Sequence, residues 1–375
     1  MRMTLQRRRL LQFGASSLML KAPLAGWAQS PPSTRRARVA AIQYEPKLGD
    51  VDENLRRAEQ LVREAIDKKA KWIVLPEFFP TGTGFHPSLF GAYQPVDGRA
   101  TQFLKRLAQE NSVYLCGSFM SASNGDAYNT QVLATPDGTV FTHDKDFPTM
   151  AFESSYYAGG EDAAFVDLLK SAGARPEGDP IAARTGSSAT GAFTHDGLGI
   201  GTALCWEIVR YRTAERLAGK IDVLLVSSAW WTADPDGDWP GLARDQARST
   251  WSEHQTLIDA SPRKMARMLG VPAIHANFTG ANVGYSSVAF DRVAPGRYLG
   301  GSQIVDAEGN TTARTGAEQG VLVADIDIGR RGGLESIGTA LWFPEVTESM
   351  RRRWTSTGAT GRTQYLRTTR PKLKV

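Results

Sequence analysis

Cysteine and histidine are scarce in this chain, two and five among 375 residues. There is no Cys-x-x-Cys pair and no His-Glu-x-x-His run, so the spacings that hold zinc are missing. No metal and no other cofactor are expected. Also missing are the Gly-Lys-Ser/Thr loop that cradles phosphates and the Gly-x-Ser-x-Gly turn that presents a hydrolase serine. No apolar run approaches the roughly 20 residues that a bilayer span requires, which excludes stable membrane insertion of the mature chain. Acids are absent from both ends. Residues 1–28 hold Arg2, Arg7, Arg8, Arg9 and Lys21, the last 25 hold eight Arg and Lys, and neither stretch has an Asp or Glu. The formal charge of +5 therefore misleads, because the body between the ends is acidic by about eight charges.

The first end reads as a secretory leader, residues 1–28. Arg7-Arg8-Arg9-Leu10-Leu11 precedes a short apolar stretch, and Gly26-Trp27-Ala28 is a small-residue cleavage site. Arg-Arg-x-Leu-Leu resembles the twin-arginine type, which exports folded proteins, so a periplasmic or secreted location is expected. Gln6, Gln12 and Lys21 depart from that pattern. The other end, residues 330–375, reads as a basic tail. Nucleic acid is not expected as its partner; packing against the acidic body of its own or a partner subunit is simpler. An exported chain with two cysteines invites a disulfide. Cys116, however, lies in the apolar run Val113–Met120 and reads as a buried free thiol.

Between the ends, residues 36–329 read as one large domain of alternating strands and helices. Strands are expected at 38–43, 71–76, around Cys116, at 221–227, 271–277 and 321–326. Leu55, Ala58, Leu61, Val62, Ala65 and Ile66 recur at helical spacing behind Asp50 and Glu53, which look like a capping box. Ala100–Glu110 reads as a second helix. Ser261-Pro262 reads as a helix start, with Gly270 as its end. Residues 161–195 look long and largely irregular, a lid or rim. This alternation means a layered α/β domain, but pattern alone does not separate a doubly wound sheet from a two-sheet sandwich.

The chemistry sits at the ends of apolar runs. Cys205 closes Leu198-Gly-Ile-Gly-Thr-Ala-Leu-Cys205, Glu77 closes Trp72-Ile-Val-Leu-Pro-Glu77, and Lys145 closes a hairpin turning at Pro136-Asp-Gly138. Strand ends of α/β sheets meet in crevices. A thiol, a carboxylate and an ammonium supply nucleophile, proton acceptor and oxyanion stabiliser for acyl transfer, with the Trp206 N–H as a further donor. Glu207 reads as the partner of Arg210 or Arg212. Aromatic rings after these strands, Phe79, Phe85, Trp206, Trp230 and Trp231, are candidate substrate walls that would favour apolar acyl groups.

Taken together, Arg38-Val-Ala-Ala-Ile-Gln43, Leu75-Pro-Glu77-Phe, Lys145-Asp-Phe-Pro-Thr149, Gly199-Ile-Gly-Thr-Ala-Leu-Cys205-Trp-Glu207 and the hairpin from Gly301 to Gly309 resemble the nitrilase superfamily of carbon–nitrogen hydrolases. The resemblance implies a four-layer αββα sandwich, dimerised into eight layers or assembled into a higher homo-oligomer. It also implies a second acid, Glu153, beside Lys145. The implied activity is conversion of a small nitrile or amide to a carboxylic acid through a Cys205 thioester. The competing readings are an exported binding protein on a hydrolase scaffold and an N-acyltransferase. The known acyltransferases of that kind carry membrane helices.

Overall fold

The structure, a computed structural model, describes residues 34–373; the leader expected at 1–28 lies outside them. Chain order begins with β1 (Arg35–Gln43), α1 (Val51–Asp67), β2 (Trp72–Val74), α2 (Arg99–Asn111) and the meander β3 (Tyr114–Ser123), β4 (Asp126–Ala134) and β5 (Val140–Asp144). Two helices, α3 (Met150–Ser154) and α4 (Asp162–Ser171), lead into β6 (Ala192–His195), β7 (Leu198–Leu204), α5 (Tyr211–Leu217) and β8 (Val223–Ser227). Then come β9 (Trp231–Ala233), α6 (Arg244–Leu269), β10 (Ala273–Ala276), β11 (Thr279–Tyr285) and β12 (Val293–Leu299). The last elements are β13 (Gln303–Val305), β14 (Thr311–Arg314), β15 (Gly320–Ile328) and α7 (Glu348–Gln364).

Side-chain alternation along the strands builds the layers. One six-stranded sheet has the order β15-β1-β2-β3-β4-β5, and the other β14-β13-β10-β8-β7-β6. Val39, Ala41, Trp72, Val74 and Cys116 of the first meet Ile200, Val223, Leu225 and Ile274 of the second in a single buried cluster. Their neighbours point the other way. Ala40, Ile42 and Ile73 pack outward with α1 and α2, while Leu224 and Val226 pack outward with α5 and α6. Each such aliphatic side chain stabilises the fold by about 1.5–3 kcal/mol when fully buried. Strands apolar on both faces need cover on both sides, and the result is an αββα sandwich. A third, three-stranded sheet, β11-β12-β9, lies beyond the two main ones.

Several boundaries differ from expectation. Asp50 caps α1 by accepting from the Glu53 N–H at 3.2 Å, but Glu53 turns to Arg56 at 2.7 Å, so the capping box is half made. Helix α6 starts at Arg244 and runs through Pro262. The carbonyl that proline cannot bond, that of Ile258, instead accepts from Gln303 Nε2 at 2.9 Å, which removes much of the cost. Gly270 ends the helix at φ +65° as read. Within 161–195, residues 162–171 are helical because Phe165, Val166 and Leu169 have a face to bury. The remaining loop is strapped down by Arg184, which meets Asp144 at 2.9 Å.

The basic tail is part of the fold. Helix α7 buries Trp354 against Phe147 and Phe165, and Arg362 pairs with Asp162 at 2.7 Å with almost no exposure. Arg370 reaches Asp126 at 2.8 Å. The expected boundary at 329/330 is thus not a structural one, although the tail does meet the acidic body.

Candidate active site

Cys205 follows β7 directly and begins a 3₁₀ turn, Cys205–Val209. Its φ of +46° lies in the left-handed region, which costs a non-glycine residue about 1–3 kcal/mol. Phe78, next to Glu77, and Met150, between Lys145 and Glu153, have the same sign of φ, at +53° and +57°. Backbone strain therefore borders all three segments that carry the candidate residues.

Around that turn the polar groups are fully enclosed. Lys145 Nζ donates to Glu77 Oε1 at 2.9 Å and to the two Glu153 oxygens at 2.9 and 2.8 Å. Glu77 also accepts from Asn129 Nδ2 at 2.7 Å and from the Ala229 N–H at 3.0 Å. Glu153 accepts from the Thr149 N–H at 2.6 Å and from the Tyr157 hydroxyl. Burial, moderated by Lys145 and reinforced by Glu153, pushes Glu77 up to about 7. Burial alone would lower the Lys145 ammonium, but the charges of Glu153, Glu77 and Cys205 more than reverse this and raise it. Burial and the Glu77 charge, opposed by Lys145, push the Cys205 thiol well up. Cys205 therefore rests as a thiol, and Glu77, raised to about 7, is placed to exchange a proton near neutrality.

Beneath the turn lies a second buried cluster. Glu207 accepts from the Leu204 N–H at 2.8 Å and the Asp146 N–H at 3.0 Å. Its side-chain partners are His143 Nε2 at 3.1 Å and Arg216 at 3.0 Å, not Arg210 or Arg212. Those two turn to Asp146 and Glu161 instead, because the 3₁₀ turn aims Glu207 back at β5. Glu207 ties the Cys205 turn to the Lys145 segment. Among the described residues no three His, Cys, Asp or Glu side chains converge as a metal set requires.

A profile of the family described as carbon-nitrogen hydrolase matches residues 38–334. The chain belongs to that family. A 2-oxoglutaramate amidase of Bacillus subtilis (strain 168) is 24% identical to this carbon–nitrogen hydrolase over 77% of its length and 90% of the amidase. A nitrilase of Pyrococcus abyssi is 32% identical over 28% of this chain and 40% of that one, and an omega-amidase of Danio rerio 41% identical over 29% and 39%. The chain thus matches about two fifths of the length of those last two relatives. An amidase from Nesterenkonia sp. superposes with TM-score 0.55 at 18% identity, covering 78% of this chain and 90% of that one. A carbon-nitrogen hydrolase from Helicobacter pylori G27 gives 0.57 at 19%, covering 89% and 95%. Both superpositions show the nitrilase-superfamily fold.

Of the candidate aromatic walls of this hydrolase, Phe79 is enclosed in the core beside Phe103, with its ring 5.6 Å away. Trp206 and Trp230 are buried against each other at 5.7 Å and against His254, in the same apolar cluster as Cys205. Trp231 and Phe85 do line a cavity of about 350 Å³, together with Met150, Phe152, Trp239 and His254. The sequence reading missed Asn129, Tyr157 and the Ala229 N–H as partners of the two acids. Asn129 lies on β4 in the run leading to Lys145, and its side chain faces Glu77 only once β4 pairs with β3.

Proposed function

We propose that this carbon–nitrogen hydrolase converts an amide to a carboxylic acid and ammonia through a thioester on Cys205. The observation that carries the proposal is the Glu77–Lys145–Glu153 set, fully enclosed and charge-coupled to a thiol on a strained turn. The Cys205 sulfur attacks the amide carbon as its proton passes to Glu77. Lys145, turning one N–H from its two contacts with Glu153 toward the substrate, and the Trp206 N–H, left free at the start of a helical turn, hold the oxyanion. Collapse of this adduct breaks the C–N bond, and Glu77 returns the proton to the leaving nitrogen. Glu77 then draws a proton from water as it attacks the thioester, releasing the acid. Glu153 holds Lys145 in place.

A pure binding role has no use for such a set, since enclosing each ion costs several kcal/mol. Amide is favoured over nitrile because the relative matched over most of its own length is an amidase. Export by the Arg7-Arg8 leader and assembly into a homo-oligomer belong to the same proposal, on the leader pattern and the family resemblance. Ammonia release from a panel of amides and nitriles, by wild type and Cys205→Ala, tests the chemistry. Turnover of amides that falls at least ~10³-fold in the variant, with an unchanged melting curve, is expected. Turnover retained by Cys205→Ala overturns the mechanism, and turnover of nitriles alone overturns the substrate class.

A further inference from the structure

Helix α3 is five residues long, Met150–Ser154, too short to hold its shape unaided. Yet it carries Glu153, and it begins at Met150 with a left-handed φ of +57°. The helix packed on it is α7, from the far end of the chain. There Gly358 and Gly361 lie about one turn apart on one face, and both are buried. Neither has a left-handed φ, and each costs a helix about 1 kcal/mol relative to alanine, so what they supply is room. A Cβ at Gly361 would run into Ser154 Oγ and stand 2.9 Å from the Ala151 Cα. One at Gly358 would stand 3.3 Å from the Phe165 ring of α4. α7 is itself anchored by Trp354 and by Arg362 on Asp162. Beyond it a further helical stretch, Tyr365–Thr369, reaches the other end of α3. The Thr369 hydroxyl donates to the Ser155 carbonyl at 2.6 Å. The Tyr365 hydroxyl accepts from the Ala127 N–H at 2.9 Å and donates to Asp126 at 3.0 Å.

We infer that the chain beyond the family-matched region 38–334 fixes α3 through Gly361 and Thr369 and so keeps Glu153 on Lys145; both are positioning residues for the hydrolysis. This rests on the hydrolase reading above and deepens it. The Glu153 oxygens take two contacts from Lys145 Nζ and one each from the Thr149 N–H and the Tyr157 hydroxyl. Thr149 precedes α3 and Tyr157 follows it closely, so a shift of the helix moves the carboxylate and two of its donors together. A misplacement of ~1 Å in such a site costs about 10²-fold in rate. Displacement also has a charge signature. The charges acting most on Glu77 are those of Lys145 and Glu153, and Tyr157 and Cys205 are the other titratable groups facing the pair. With Glu153 drawn off, Lys145 is left to Glu77, which then holds its proton less tightly. A merely destabilised enzyme loses folded molecules without this change.

The test uses the full mature protein, with butyramide as substrate. Gly361→Val forces α7 off α3. Thr369→Val removes one hydroxyl at nearly constant volume, which covers the case that the larger change prevents folding. Ser356→Ala, on the exposed face of α7, is the control. Per folded molecule, kcat falls at least ~10-fold in Gly361→Val and about threefold in Thr369→Val. In both, the acid limb of kcat/KM moves to lower pH by about half a unit or more, and it stays in place in Ser356→Ala. Hydrogen exchange of the amides of residues 150–157 quickens in the same two variants. Acid limbs that stay with wild type while activity follows the folded fraction overturn the inference, as does unchanged exchange. Faster exchange at 150–157 in the two variants, with no amide turnover by wild type, would leave the clamp on α3 standing and sink the hydrolase reading.

Discussion

Glu77 and Glu207 are both fully enclosed, a few residues' reach from Cys205, and their environments drive them in opposite directions. Glu77 shares one cation, Lys145, with a second acid, and burial wins, so its carboxyl rises to about 7. For Glu207 burial also opposes the charge, but Arg216 and His143 together with backbone N–H donors hold it well below the usual carboxylate range. The first cluster is short of positive charge and can pick up a proton. The second is saturated and cannot. In the proposed mechanism one enclosed glutamate moves a proton, and the other holds the turn that carries the Cys205 thiol.

The largest effect should come from breaking this division at Glu77. Glu77→Gln leaves Lys145 paired with Glu153 and removes the proton carrier, so kcat/KM falls at least ~10³-fold while the melting curve changes little. Mass spectrometry is expected to show an acyl group retained on Cys205 when an activated ester substitutes for the amide. Glu207→Gln should do the reverse. It strands Arg216 beside a neutral partner, costing roughly 3–5 kcal/mol in chemical denaturation, with turnover per folded molecule far less affected than in Glu77→Gln. Comparable stability losses in the two variants would erase the distinction.

Titration sharpens the same contrast. Turnover should fall below pH about 7 as Glu77 is protonated before it can act as a base. In stability the signs are opposite. The raised value of Glu77 means a contribution that is complete below its ordinary value of 4.5 and is lost as pH rises through about 7. Glu77→Gln should therefore gain on wild type across that window. Glu207 is depressed, so its contribution is present above 4.5 and is lost only as pH falls below it. The deficit of Glu207→Gln should be flat above that value and shrink in acid. Denaturation midpoints of the three proteins between pH 4 and 8 check both trends.

The smallest effect belongs to the other thiol. Cys116 lies between the sheets, packed among their apolar side chains with Gln131 Nε2 3.3 Å from its sulfur, and burial pushes it up to about 12. Cys116→Ala should leave turnover unchanged and cost about 1 kcal/mol in stability. Loss of activity there would show that the two cysteines are not as separate as their surroundings indicate.

Much of the fold was legible because strand periodicity is local. Val39 and Ala41 against Ala40 and Ile42 already state that β1 has two apolar faces, and Trp72 to Val74 repeats the message. Cys205, Glu77 and Lys145 stood out because each interrupts or ends such a run. Errors arose where a distant residue changes what a local signal means. Pro262 reads as a helix start until Gln303 arrives from β13 to take the orphaned carbonyl. The third sheet, β11-β12-β9, was not read at all, since Gly280, Gly284, Pro295 and Gly296 dilute its alternation.

By itself the sequence determined the alternation of strands and helices and placed Cys205, Glu77 and Lys145 at the ends of apolar runs, since periodicity and residue chemistry need no distant partner to be read. Tertiary structure alone decided that Asn129 and the Ala229 N–H hold Glu77, which way Glu207 turns, and that α7 packs Trp354 and Arg362 onto the body. Those outcomes depend on groups from 9 (Glu207 and Arg216) to 200 (Asp162 and Arg362) residues apart coming within hydrogen-bond or packing distance. At that range the desolvation and charge of neighbours, invisible along the chain, set what each side chain can do.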